Sequence, residues 1–151
     1  MPVPDRPPDL PRDRARAIEW DCAQLLVGFF NAFDAWRYQD MVASFAPDGV
    51  WHRQGKALRG ADDILAVLNA RSRTQVVRHV VTNVHLTVID DSHCDSRLYV
   101  TAYVSDTGSK TAEPPKIAAP SLLLDVPGKL LRTDEGWHIA SLTMTRVFVF
   151  G

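Results

Sequence analysis

The spacing of apolar residues changes once along this chain, near Thr74, and that change limits it to one class of fold. Before Thr74 apolar side chains recur every three or four residues, the period of a helix with one buried face. After it the chain is rich in β-branched and aromatic residues, as strands are. Helices first and a run of strands afterwards describe an α+β domain, not an alternating parallel one.

The helical part reads in three pieces. Ile18, Leu25, Leu26, Phe29, Phe30 and Phe33 mark a long first helix over residues 15–33, closed by Asp34. Tyr38 to Phe45 predicts a short second helix, and Pro47, Asp48 and Gly49 predict a turn leading into a strand at Val50. Gly55 and Gly60 bracket a connection, after which Ala61 to Asn69 forms a third helix with Asp62 and Asp63 at its positive end. Strands are predicted over residues 76–89, 97–104, 121–126 and 137–150.

Pro2, Pro4, Pro7, Pro8 and Pro11 deny the N-terminal segment regular backbone hydrogen bonding, so residues 1–14 are expected to form a flexible proline-rich arm. Residues 15–151 then make a single domain, since 151 residues suffice for one core and are too few for two full ones. A formal net charge of -1 with scattered arginines offers no field for a phosphate backbone, so nucleic acid is not an expected partner. No apolar run reaches the ~20 residues of a membrane span, and the N-terminus has no apolar core of a secretion signal. Cys22 and Cys94 stand far apart without a metal-type spacing, and a cytoplasmic location is expected.

Four segments in order, FNAFDAWRYQDMVASFAPDGVW, RGADDI, RHVVTNV and RTDEGWHIA, carry a resemblance to the SnoaL-like group of the nuclear transport factor 2 superfamily, spanning roughly residues 17–147. That resemblance implies a strongly curved antiparallel sheet wrapped on three N-terminal helices, a cone-shaped α+β barrel whose apolar interior holds a ligand. Scytalone dehydratase, hexachlorocyclohexane dehydrochlorinase and bile acid dehydratase are similar members. They use an aspartate near the end of the first helix and a histidine at the start of a central strand, and Asp34 and His79 stand at the matching places. Asn83 repeats the HxxxN spacing of the dehydrochlorinase.

Physical chemistry gives those residues a reason to act together. Asp34 follows Phe29, Phe30 and Phe33, and against aromatic surface a carboxylate needs a proton-sharing partner to keep its charge. Paired with His79 it would fix the imidazole tautomer and leave the other ring nitrogen to take a proton. The plainer alternatives are a helix-ending aspartate in water and a strand histidine bonded to a backbone carbonyl. Strict alternation puts Val81, Asn83 and His85 on the face of His79, which makes Asn83 a pocket hydrogen-bonding group and His85 a residue at the rim or in solvent. Phe30 and Trp51 are the expected apolar ligand contacts. Arg146, on the last strand, could orient a carboxylate or polarise a carbonyl, or stand exposed or ion-paired.

His52, His93 and His138 form no metal-binding pattern, and no glycine-rich loop follows a strand, so neither a metal site nor a cofactor is expected. The resemblance and the Asp34–His79 pair together imply a cofactor-independent lyase or isomerase, dehydratase-like, for a hydrophobic cyclic small molecule. A non-catalytic binding module, or an oxygenase small-subunit-like one, is the alternative. Apolar residues on both faces of the strand beginning at Arg97 imply a homo-oligomer, dimer or trimer, through the outer sheet face.

Overall fold

The computed structural model describes residues 6–151. In chain order it has α1 (Arg12–Asp34), α2 (Tyr38–Ala43), β1 (Phe45–Arg53), β2 (Lys56–Arg59), α3 (Gly60–Asn69), β3 (Gln75–Val88), β4 (His93–Asp106), β5 (Leu122–Thr133), β6 (Gly136–Thr143) and β7 (Thr145–Val149). The helices pack against one curled, unclosed sheet of order β2-β1-β6-β5-β4-β3, with β7 paired to the first half of β5. Every strand pair is antiparallel except β1 with β6, which is parallel and departs from the all-antiparallel sheet expected.

α1 buries Ile18, Cys22, Leu26, Phe29, Phe30 and Phe33, a stripe at helical spacing laid against the inner face of the sheet. Each such large side chain removed from water stabilises the fold by roughly 1.5–3 kcal/mol. The inner face answers with Trp51, Leu98, Val100, Val126, Leu130 and Ile139, all buried. Phe29 is the hub, its ring meeting Phe30, Phe45 and Trp51 edge to face with centroids 5.1, 5.6 and 5.4 Å away.

α1 starts at Arg12, earlier than the expected arm would end, and Leu10 is already buried in the core. Residues 1–5 of that arm lie outside the described residues. α2 stops at Ala43 because Ser44 turns its hydroxyl back to the Asp40 carbonyl at 2.9 Å and Phe45 enters β1. Pro47, Asp48 and Gly49 form a bulge inside β1 instead of a turn before it: five residue steps from Phe45 to Val50 face two from Ile139 to Ser141. The strand predicted over 137–150 breaks at Met144 into β6 and β7, which lie on different halves of β5. Among the described residues no helix is long and apolar enough to cross a membrane.

Candidate active site

Asp34 is the last residue of α1, where the negative end of the helix dipole disfavours a carboxylate. Two hydrogen bonds from one residue offset that cost. Asp34 Oδ1 lies 2.6 Å from His79 Nδ1, and Asp34 Oδ2 accepts the His79 backbone N–H at 2.8 Å. Only 12% of the Asp34 side chain and 8% of the His79 side chain are exposed, so water competes weakly for either bond.

The chain end that carries Asp34 is set by an unusual cap. Arg37 donates its N–H to the Ala32 carbonyl at 2.9 Å and Trp36 to that of Phe33 at 3.2 Å, the paired bonds of a Schellman motif. The motif needs a left-handed residue, and Trp36 supplies it at φ 62° where glycine is usual. That conformation costs roughly 1–2 kcal/mol in a residue with a side chain. Stacking compensates: the Arg71 guanidinium lies 4.5 Å and that of Arg73 5.5 Å from the Trp36 ring centre.

β3 brings His79 to Asp34 and turns its ring into a cavity of about 790 Å³. Ala102 lies directly across from His79 on β4, and its small side chain leaves the space beside the imidazole open. Phe33 meets the imidazole edge to face at 4.7 Å and Phe30 tilts over it at 5.3 Å, which fixes the ring plane. A carboxylate at Nδ1 selects the tautomer protonated there, so Nε2 carries the free lone pair. Val77, Leu122, Leu124 and Met144 supply apolar wall, while Arg53, Gln75 and Arg146 supply polar groups.

Of the residues singled out from sequence, Asp34 and His79 come together and Arg146 lines the cavity from β7. Phe30 is buried behind His79, and Trp51 is wholly buried between Phe29 and Phe33; both support the wall rather than face the cavity. Asn83 is placed elsewhere. Thr82 pairs with Tyr99 and His85 with Arg97, so one extra residue sits in β3 between them, and Asn83 takes φ 53° in that bulge. The bulge inverts the alternation: Val77, His79 and Val81 point inward before it, Leu86 and Val88 after it, and Asn83 is exposed. His85, beyond the same bulge, is exposed as well.

Arg53, Arg71 and Gln75 were not singled out from sequence. Arg53 was within reach of the argument, because it lies two residues after inward-facing Trp51 on the same strand. Arg71 had no such cue, for it follows α3 in an irregular turn, whereas Gln75 opens β3 on the face of Val77 and His79, one residue before the strand predicted from residue 76. No group of three or more His, Cys, Asp or Glu side chains able to hold a metal occurs among the described residues.

Several solved structures share this architecture. A scytalone dehydratase-like protein from Novosphingobium aromaticivorans aligns over 91% of this chain and 89% of its own, with a TM-score of 0.76 at 13% identity. A hexachlorocyclohexane dehydrochlorinase, LinA type 2, aligns over 93% and 92% with a TM-score of 0.75 at 14% identity. A protein from Catenulispora acidiphila in complex with S-DNPA aligns over 87% and 94% with a TM-score of 0.68 at 20% identity. At these identities the likeness establishes the fold alone. No curated protein sequence matches the chain significantly. The profile of the SnoaL-like domain family, however, matches residues 14–143, which takes in α1 with Asp34, β3 with His79 and the whole cavity wall up to β6. By that match the chain belongs to the SnoaL-like domain family.

Proposed function

We propose that this protein is a lyase or isomerase acting on a hydrophobic cyclic small molecule, with His79 as the base and Asp34 as its partner. The observation that carries the reading is the two-bond clamp of Asp34 on His79 beside a cavity with an apolar wall of Val77, Leu122, Leu124 and Met144. His79 Nε2 would remove a proton from a carbon next to a carbonyl, and the bond's electron pair would pass into an enolate. Asp34 would stabilise the imidazolium so formed. The enolate then expels a hydroxide at the β-carbon, which leaves as water with the proton from Nε2, or is reprotonated at another carbon. The first outcome is dehydration and the second is a double-bond shift.

The same reading has the protein working as a homo-oligomer, dimer or trimer. Its support is the outer face of β3 and β4, where Val76, Val80 and Tyr99 are exposed together.

Proton abstraction can be tested before the natural substrate is known. A panel of cyclic β-hydroxyketones and cyclohexenones is incubated with the protein in deuterium oxide, and NMR follows deuterium entry at the carbon next to the carbonyl. Exchange with at least one compound, lost in both Asp34→Asn and His79→Ala, is the expected result. Exchange that persists in both folded variants would remove the acid–base reading and leave the cavity as a binding site.

A further inference from the structure

Arg53 ends β1, and a two-residue turn follows at once: Gln54 at φ 52° and Gly55 at φ 76°, with Arg53 paired to Lys56. Two successive left-handed residues make the tight hairpin that suits strand twist, so the backbone under Arg53 is fixed. Alternation sends its side chain to the inner face after Trp51. There the guanidinium lies 5.2 Å from the Trp51 ring centre and 5.8 Å from that of Phe33, on the cavity wall.

Among the described residues the guanidinium has no anion. The surface arginines Arg14, Arg37 and Arg97 are ion-paired with Asp91, Asp40 and Asp125. Arg53, only partly exposed, has no carboxylate partner among the described residues. A charge withdrawn from water is ordinarily the one that needs pairing most. Its neighbours worsen the imbalance. Arg71 stacks on Phe33 at 4.2 Å, and its donors go to neutral acceptors, the Tyr38 hydroxyl at 2.7 Å and the Gln75 side-chain oxygen at 2.8 Å. Burial first, then the charge of Arg71, holds the Arg53 pKa below its ordinary value. Among the described residues no aspartate or glutamate lines the cavity, Arg146 adds another cation at its wall, and the carboxylate behind His79 is committed to His79.

We propose that the ligand of this cavity carries a permanent carboxylate on its ring system, and that Arg53 is the residue that binds it. A guanidinium presents two parallel donors that match a carboxylate, and stacking on Trp51 and Phe33 holds it ready. The rings lie against Val77, Leu122, Leu124 and Met144. This inference rests on the cavity being the ligand site proposed above, but it requires no proton transfer.

The test is binding alone, measured by isothermal titration calorimetry with 2-naphthoate and its neutral analogue 2-naphthamide. Naphthoate is expected to bind the wild-type protein at least ~10-fold more tightly than naphthamide, with the difference shrinking as salt is raised. Arg53→Met, which keeps an apolar stem over the aromatic rings, should erase the preference while leaving naphthamide affinity within about threefold. Arg53→Lys keeps the charge without the fork and should retain part of the preference, which also serves if the methionine variant does not fold. Equal affinities in the wild-type protein, a preference surviving in Arg53→Met, or no binding of either probe would each overturn the proposal. Asp34→Asn should keep the full preference, so failure of the acid–base reading and failure of this one are read separately.

Discussion

Asp34 holds His79 at two points, ring nitrogen and backbone N–H, so one carboxylate sets both the orientation of the imidazole and the register of β3 against the end of α1. Asp34→Asn preserves an acceptor for the backbone N–H but removes the charge that stabilises imidazolium. Turnover should fall ~10²- to 10⁴-fold with the fold intact by circular dichroism, and His79→Ala should fall at least as far. The double variant should be no worse than the poorer single one, since both disable one proton-transfer unit. Additive losses, measured as kcat/KM, would show that the two residues act separately.

Asn83 is expected to serve the backbone, not the ligand. At φ 53° a β-branched residue is strained by roughly 1–2 kcal/mol, whereas glycine is not. Asn83→Val should lose about that much stability in urea unfolding, and Asn83→Gly should stay within about 0.5 kcal/mol of wild type. Ligand affinity should be unchanged in both, and a tenfold loss in Asn83→Gly would return Asn83 to the binding site.

Two glycine-to-alanine changes should have opposite signs. At Gly49, in the β1 bulge, a Cβ would stand 2.8 Å from the Ile139 carbonyl oxygen and 2.9 Å from that of Ala46, and backbone cannot swing away. Gly49→Ala should destabilise by about 1–3 kcal/mol. At Gly28, exposed on α1, a Cβ meets nothing within 4 Å, so Gly28→Ala should stabilise by about 0.5–1 kcal/mol. Thermal or urea unfolding of the pair checks both signs.

The outer face of the sheet offers a fourth test. Val76, Val80 and Tyr99 are 43%, 46% and 38% exposed, and the β3–β4 register puts all three on the side away from α1. Sedimentation velocity at micromolar concentration should show a dimer or trimer, and Val80→Asp should shift it to monomer with the secondary structure retained. A monomeric wild-type protein would reject that assembly.

Order and period in the sequence were enough for the α+β class, and the resemblance added the curled sheet around the helices. The apolar stripe from Ile18 to Phe33 can be satisfied only by burying one helical face, and the strand-type residues after Thr74 supply the sheet that covers it. Asp34 and His79 were legible too, one as a carboxylate ending an aromatic helix face, the other by its place in RHVVTNV. Local pattern failed where the backbone departs from its period. The bulge at Asn83 reverses which side chains face inward, and the bulge from Phe45 to Val50 absorbs a segment that reads as a turn. Both depend on the partner strand's register, which no single segment encodes.

The sequence by itself therefore determined the helices and most of the strands, because period and composition are local properties, while Asp34 and His79 were singled out by the resemblance their motifs carry. Only the tertiary structure decided that one carboxylate grips His79 twice, that Trp51 and Phe30 support the cavity from behind, and that Arg53 and Arg71 flank Phe33 with no anion among the described residues. Those relationships join residues that are tens of positions apart, and they exist only once the sheet has curled onto α1.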